Sequence, residues 1–369
     1  MNLFDVYPLY NVTPVKGKDV FVYDDKGVEY LDLYGGHAVI SIGHSHPNYV
    51  KAITNQVSKL GFYSNAVQNP IQVELAQRLE EVSGCSGYQL FLCNSGAEAN
   101  ENALKLASFK TNKARVIAFN NGFHGRTSAA VAVTDNPSIN APINLQQKVT
   151  FLALNDIEGV KRELEKGDVC AVIVEFIQGV GGLDQGTAEF FEQVDALCKL
   201  SNTFFIADEV QSGYGRSGKF FAFQHYNVTP EVISIAKGMG NGFPIGGILI
   251  HPSIEAKHGM LSYYFAINVV IKTSYVREMI NKWTSSEKPN YRRSGYALLG
   301  ELAKPKTKAG QNVADEYFAA YLNIIDREIN NNKGWTQDAM NNALIAIGQR
   351  SKELNDMALE IATKIGKLN

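Results

Sequence analysis

Cysteine is scarce: the four residues Cys85, Cys93, Cys170 and Cys198 show no C-x-x-C spacing. A chain of 369 residues needs no disulfide staples, so the four read as buried free thiols, and no metal site is expected from them. No run of 18 apolar residues occurs, and the amino terminus MNLFDVYPLY carries an acid but no basic, apolar leader. The expectation is a soluble, cytoplasmic protein with no membrane span. Charge of one sign is also missing: 35 Lys and Arg against 37 Asp and Glu leave −2, with no strong pull toward nucleic acid or membrane over the whole chain. The phosphate loop G-x-x-x-x-G-K-[S/T] is absent as well. At 45% hydrophobic and 20% charged, the composition is that of an ordinary globular protein rather than a disordered one.

What is present is unevenly distributed. All seven histidines lie at or before residue 258, both tryptophans (Trp283, Trp335) come after it, and only 6 of 32 glycines fall in the last 107 residues. Residues 263–369 hold 15 Lys and Arg against 11 Asp and Glu, a net of +4 that leaves −6 for residues 1–262. Near the amino terminus Phe21–Leu33 alternates around Asp24–Gly27, which predicts a hairpin. From about Pro70 strand-length apolar runs (YQLFLCN, ARVIAFN, KVTFLAL, VCAVIVEF, NTFFIAD, EVISIAK) alternate with helical patterns such as IQVELAQRLEEV and AEFFEQVDALCKL. That is the signature of an α/β domain with a mostly parallel sheet covered on both faces. After Leu261 the writing turns helical, with apolar residues at three- and four-residue steps such as Leu354, Met357, Ala358, Ile361 and Ile365. The predicted organisation is an amino-terminal segment with the hairpin over 1–50, a large domain over 51–262, and an all-α, helical-repeat-like segment over 263–369.

Ligands of such sheets collect at the carboxyl ends of the strands, where the chemically able residues fall. Lys237, in ISIAKGMGNGFPIGG, follows Asp208 by 29 residues. A lysine amine forms a Schiff base with a pyridoxal phosphate aldehyde, and a carboxylate keeps the pyridine nitrogen protonated so that the ring accepts electrons. Gln211, just past Asp208, can donate to the ring hydroxyl. Alternatives stand beside each residue. An Asp–Glu pair after a strand also suits a metal, as in nucleotide hydrolases, and a lysine past a strand is often solvated. Ser95, Gly96 and Ala97 open a helix, an anion site by its free amides, yet Ser95 with Glu98 is equally a capping box. Phe123 can stack on a planar ring and Arg126 can fork onto a carboxylate, or the loop is a turn with an aromatic plug and a solvated arginine. Glu175 ends the most apolar strand, either as a buried-edge carboxylate facing an amine or an arginine, or as a surface acid.

Together these segments resemble a known family. YLDLYGGHAVISIGHSHP, LCNSGAEANENALKLA, NNGFHGRTSAA, VEFIQGVGG, IADEVQSGYGRSG and IAKGMGNGFPIGG are similar, in order, to class III (fold type I) pyridoxal-phosphate aminotransferases, and most to the acetylornithine group. The resemblance covers residues 1–261. It implies phosphate binding at Ser95, Gly96 and Ala97, ring stacking by Phe123, substrate carboxylate binding by Arg126, and a substrate contact at Glu175. It also implies Asp208 on the pyridine nitrogen, Gln211 on the ring oxygen, Lys237 as Schiff-base lysine, 2-oxoglutarate as acceptor, arginine biosynthesis as pathway, and a homodimer.

Two departures accompany the match. Phe176 and Val180 stand where the family has a proline and a second glutamate. After HGML, Ser262 leads into SYYFAINVV instead of the family's Gly-Thr-Thr/Ser-Phe-Gly-Gly-Asn segment, so the large domain reads as truncated. The helical segment, through KTSYVREMINKW, YRRSGYALLGELAKP and GWTQDAMNNALIAIGQR, resembles part of a HEAT-like DNA alkylation repair protein. Arg292, Arg293, Lys304, Lys306 and Lys308 there could touch nucleic-acid phosphates or form a solvated basic face.

Overall fold

The computed structural model describes residues 4, 6–64, 67–254, 270–332 and 334–366. The chain divides into two compact units, 1–254 and 255–369. The expected boundary at Ser262 and the departure that follows Leu261 lie outside the described residues.

In the first unit β1 (Pro14–Lys18), β2 (Phe21–Asp24) and β3 (Glu29–Leu31) form a three-stranded antiparallel sheet. The expected hairpin is its β2–β3 part. Asp24 builds the turn: its Oδ1 accepts from the amides of Lys26 and Val28, and Gly27 takes φ +80°. The one-turn helix α1 (Gly35–Ala38) and helix α2 (Pro47–Leu60) lead to α3 (Pro70–Ser83).

The large sheet runs β4 (Gln89–Cys93), β10 (Gly246–Ile250), β9 (Val232–Ile235), β8 (Phe204–Asp208), β7 (Val169–Val174), β5 (Arg115–Phe119), β6 (Val149–Leu152) in spatial order. All six apolar runs read as strands are strands. β10 is the addition, antiparallel to both β4 and β9, while the other contacts are parallel. Every residue of β7, β8 and β9 is buried, as a strand covered on both faces requires.

Strand alternation sorts the core into two layers. Ile117, Phe119, Val172, Val174, Phe205 and Ala207 pack on one face with α3, α6 (Ile157–Leu164) and α7 (Ala188–Leu200). Val116, Ala118, Ala171, Ile173, Phe204 and Ile206 pack on the other, against Ala99, Ala103, Leu104 and Ala107 of α4 (Gly96–Thr111). The alanines set α4 close to the sheet, which brings its first turn to the carboxyl ends of the strands. Phe176, at the family's proline position, is fully buried against the rings of Phe191, Phe205 and Tyr226. Within the described residues no helix is long and apolar enough to cross a membrane.

The second unit contains helices Val276–Thr284, Pro289–Ala303, Asp315–Glu328, Trp335–Gly348 and Lys352–Ile365. It has its own core, built around Tyr296, Leu299, Phe318, Leu322, Met340 and Ile347. Arg350 ties its turns together, donating to the carbonyls of Ala303, Gly310 and Val313 and lying 4.1 Å over the Phe318 ring. Three of the basic residues singled out for phosphate contact have partners inside this unit. Arg292 donates to Ser286 O and Asn332 Oδ1, Arg293 lies over the Trp335 ring, and Lys304 pairs with Glu301.

Candidate active site

A cavity of about 540 Å³ opens where the parallel strands of the first unit end. Its lining includes all nine residues singled out in the sequence: Ser95, Gly96, Ala97, Phe123, Arg126, Glu175, Asp208, Gln211 and Lys237. They come from the carboxyl ends of five strands, β4, β5, β7, β8 and β9, and the loops or helix that follow, which is why residues 142 positions apart in the chain share one pocket.

The first turn of α4 forms one end. Ser95 caps the helix, its Oγ accepting from the Glu98 amide at 3.1 Å. The reciprocal half of the expected capping box is displaced by one residue: Glu98 Oε2 accepts from the Asn94 amide at 2.6 Å. The amides of the first helical turn lack intrahelical acceptors and carry the positive end of the dipole. Gly96 has no space for a side chain, since a Cβ there would lie 2.6 Å from Val210 Cγ1. The glycine is therefore set by packing against Val210 and Ala236.

At the centre lie Asp208 and Lys237. Asp208 is 3% exposed, and its Oδ2 accepts from Asn100 Nδ2 and from His124 Nδ1, both at 2.7 Å, while Oδ1 accepts from the Val210 amide at 3.0 Å. A carboxylate so surrounded by donors is held in one orientation. Burial opposes a charge on His124, but the hydrogen bond and charge of Asp208, with the charge of Glu175, raise its pKa. Neither His124 nor Asn100 is assigned a task from the sequence. The i, i+4 offset between Gly96 and Asn100 on one helix was the available signal. Asn100 Oδ1 is buried without a hydrogen-bond partner, an orphaned acceptor on the cavity wall.

Lys237 begins a 3₁₀ turn after β9 and takes φ +47°, a left-handed conformation uncommon for a residue with a side chain. Desolvation lowers the pKa of its amine, and the nearby charges of Asp208 and Glu175 partly offset that. A larger neutral fraction makes the amine a better nucleophile and base.

Glu175 is buried rather than at the surface, and burial raises its pKa. Its oxygens accept from the amides of Phe123 (2.9 Å) and Gly179 (3.1 Å), so backbone and not an arginine is its partner. It thereby fixes the loop that presents Phe123. Arg126 is not simply solvated: its guanidinium lies 5.1 Å over the Tyr7 ring at the cavity. Val180, where the family has a second glutamate, lines the cavity and is exposed.

Glu209 is fully buried beside Asp208, accepting from Ser212 Oγ, the Ala222 amide and the Phe223 amide. Burial raises its pKa from 4.5 to about 7 despite those bonds. Between these values the folded state keeps a proton that the unfolded chain has released, so stability falls as pH rises through the window. The expected size is on the order of 3 kcal/mol. Glu209→Gln should flatten that part of the stability–pH curve, whatever its effect at a single pH. Urea midpoints from pH 4.5 to 8 measure it, and an unchanged slope would rule out this assignment.

Among the described residues no cluster of His, Cys, Asp and Glu is placed to hold a metal ion. A half-buried lysine, a buried carboxylate braced by donors, and a helix amino terminus with free amides are what pyridoxal 5'-phosphate requires. The sequence profile of the family described as aminotransferase class-III matches residues 6–261.

The chain belongs to this family.

Pyridoxal 5'-phosphate is the cofactor of class III aminotransferases, and the cavity residues fit it. Among curated relatives, the acetylornithine aminotransferase of Bacillus subtilis is 40% identical over 249 residues, covering 67% of this chain and 64% of that one. The acetylornithine aminotransferase of Vibrio vulnificus is 43% identical over 259 residues, covering 67% and 64%. The chain thus spans a little under two thirds of the length of these relatives. Among solved structures, the N-acetylornithine aminotransferase of Stenotrophomonas maltophilia is 28% identical with a TM-score of 0.58, covering 88% of this chain and 74% of that one. Ornithine δ-aminotransferase of Plasmodium falciparum is 26% identical with a TM-score of 0.58, covering 89% and 76%.

Proposed function

We propose that the chain transfers the amino group of N-acetylornithine to 2-oxoglutarate, giving glutamate and the carbonyl product, a step of arginine biosynthesis in the cytoplasm. The observation that carries this reading is the gathering of Lys237, Asp208, Arg126 and the α4 amino terminus around one cavity. Relatives named for acetylornithine support the donor.

When bound, pyridoxal phosphate supplies an aldehyde that takes up an amine and a conjugated ring that accepts an electron pair. Ser95 and the amides of Gly96 and Ala97 hold the phosphate by hydrogen bonds and the helix dipole. Phe123 would hold the ring by stacking, and Gln211 would donate a hydrogen bond to it. Asp208, oriented by Asn100 and His124, keeps a proton on the pyridine nitrogen. With the group bound, Lys237 Nζ would take the proton from the amine-bearing carbon of the donor and hold it within the cavity, as base and then acid. Arg126 forks onto a substrate carboxylate, with Glu175 contacting the donor. Other ω-amino donors (ornithine, succinylornithine, 4-aminobutyrate) compete for the same site.

The test is glutamate formation by the purified chain from N-acetylornithine and 2-oxoglutarate with added cofactor. Turnover with another ω-amine and none with N-acetylornithine would replace the donor, and turnover with none would end the reading.

A homodimer is part of the same reading. Helix α2 has no buried residue and leaves Val50, Ile53, Val57 and Leu60 exposed at three- and four-residue steps, an apolar stripe suited to a second copy. A second reading keeps the domain division of 1–50, 51–262 and 263–369 and makes the chain a non-catalytic fusion with a HEAT-like module that binds nucleic acid. The family match ending at residue 261 favours it, while the internal partners of Arg292, Arg293 and Lys304 weigh against it. Salt-dependent duplex binding by the full chain would support it.

A further inference from the structure

Between β3 and α2 the chain passes along the cavity as a strap with little regular structure of its own, lining it through Val39. Its backbone is left-handed at Gly35, Gly36, His37, Ala38 and Gly43; its ends are tied by Asp32 to the Gly35 amide and by an Asp19–His44 bridge, which leaves the stretch between them without a ladder or long helix. It is held from outside. The Oδ1 of Asn241 accepts from the amides of Ser41 (2.7 Å) and Ile42 (3.0 Å), and its Nδ2 donates to the Gly43 carbonyl (3.0 Å). Arg216 Nη2 adds a bond to the Ala38 carbonyl at 2.9 Å.

Asn241 is 8% exposed, so its three bonds face little competition from water. It also sits four residues past Lys237, in a turn where the Gly240 amide donates to the Lys237 carbonyl at 3.0 Å. The strap touches this turn directly: a Cβ on Gly238 would lie 2.6 Å from Ser41 Oγ. Val39, between the Arg216 bond and the Asn241 bonds, lines the cavity. One amide therefore joins the backbone that carries the lysine to the segment that forms part of the cavity wall.

We propose that Asn241 is a positioning residue for donor selection, fixing the Ala38–Gly43 strap and with it the Val39 wall against which the amino donor is held. The proposal rests on the transamination reading for its consequence but not for its geometry. A fixed wall discriminates donors by shape, and a loose one accepts them more evenly.

Asn241→Gly removes the side chain while keeping the backbone at φ +45° without strain. In the full chain with pyridoxal phosphate, hydrogen exchange at the Ser41 and Ile42 amides should accelerate about tenfold or more, with amides of β8 and β9 unchanged. The visible absorbance of the lysine-bound cofactor and its pH titration should stay the same. The KM for N-acetylornithine should rise about tenfold with kcat within about threefold, and the preference for N-acetylornithine over ornithine should shrink. Asn241→Asp keeps both acceptor bonds and loses only the Gly43 donor, so it should fall between, and it serves if the glycine variant does not fold. Unchanged exchange would overturn the proposal, and so would faster exchange with unchanged donor preference. If the unaltered chain turns over no donor, the transamination reading fails by itself, and the exchange comparison still decides whether Asn241 sets the strap.

Discussion

Lys237→Ala is expected to remove the visible absorbance that pyridoxal phosphate acquires on attachment to the chain, and to lower glutamate formation by about a thousandfold or more. General acid–base groups contribute roughly 10²–10⁴-fold, and Lys237 is assigned both the covalent attachment and the proton transfer. The structure adds a sharper expectation. Because burial lowers the pKa of the amine, small added amines at high concentration should restore part of the turnover, with a pH dependence set by their own pKa. A variant that kept both the absorbance and the turnover would remove the lysine from the site.

Asp208→Asn should give the opposite pattern, an attached cofactor with visible absorbance but turnover reduced by roughly 10²–10⁴-fold, since shape is retained and charge is lost. The same change leaves His124 and Asn100 facing an amide in place of a carboxylate, in a site with almost no solvent. Losing one partner of a buried pair costs about 3–5 kcal/mol, so the unfolding midpoint should fall as well. Asp208→Glu would keep the charge, but one added methylene cannot preserve three bonds of 2.7 to 3.0 Å. It should rescue little. Normal turnover in Asp208→Asn would overturn the assignment of this carboxylate to the pyridine nitrogen.

Much of this site could be read from the chain because its parts are local. Strand-length apolar runs end in polar loops, and the sheet places those loops together, so Ser95, Phe123, Glu175, Asp208 and Lys237 each announced themselves beside a strand. Asn100 and His124 did not, since their role is to hold Asp208 and depends on side chains that are 108 and 84 residues from it. The strap and Asn241 stayed hidden for the same reason, with partners about 200 residues apart. β10 was missed for another. Gly246 and Gly247 close the glycine-rich stretch after Lys237 and carry no strand pattern, whereas a Cβ on Gly246 would lie 2.5 Å from the Ser95 carbonyl, so the glycines let a strand squeeze between two others. The buried state of Glu175 likewise depends on amides from two loops rather than on its neighbours in the chain.

That squeezed strand completes the large sheet late. β4 touches the rest of the large sheet only through β10, which is made about 150 residues later. As the chain leaves the ribosome, α4 can pack on β7, β8 and β9 and bring the anion-binding turn to the lysine, but β4 itself has no strand partner until Gly246–Ile250 arrives. Such late, distant pairing is slow and leaves a strand edge open meanwhile. The closing event of this sheet is thus the capture of β4, an early strand, by the strand made last.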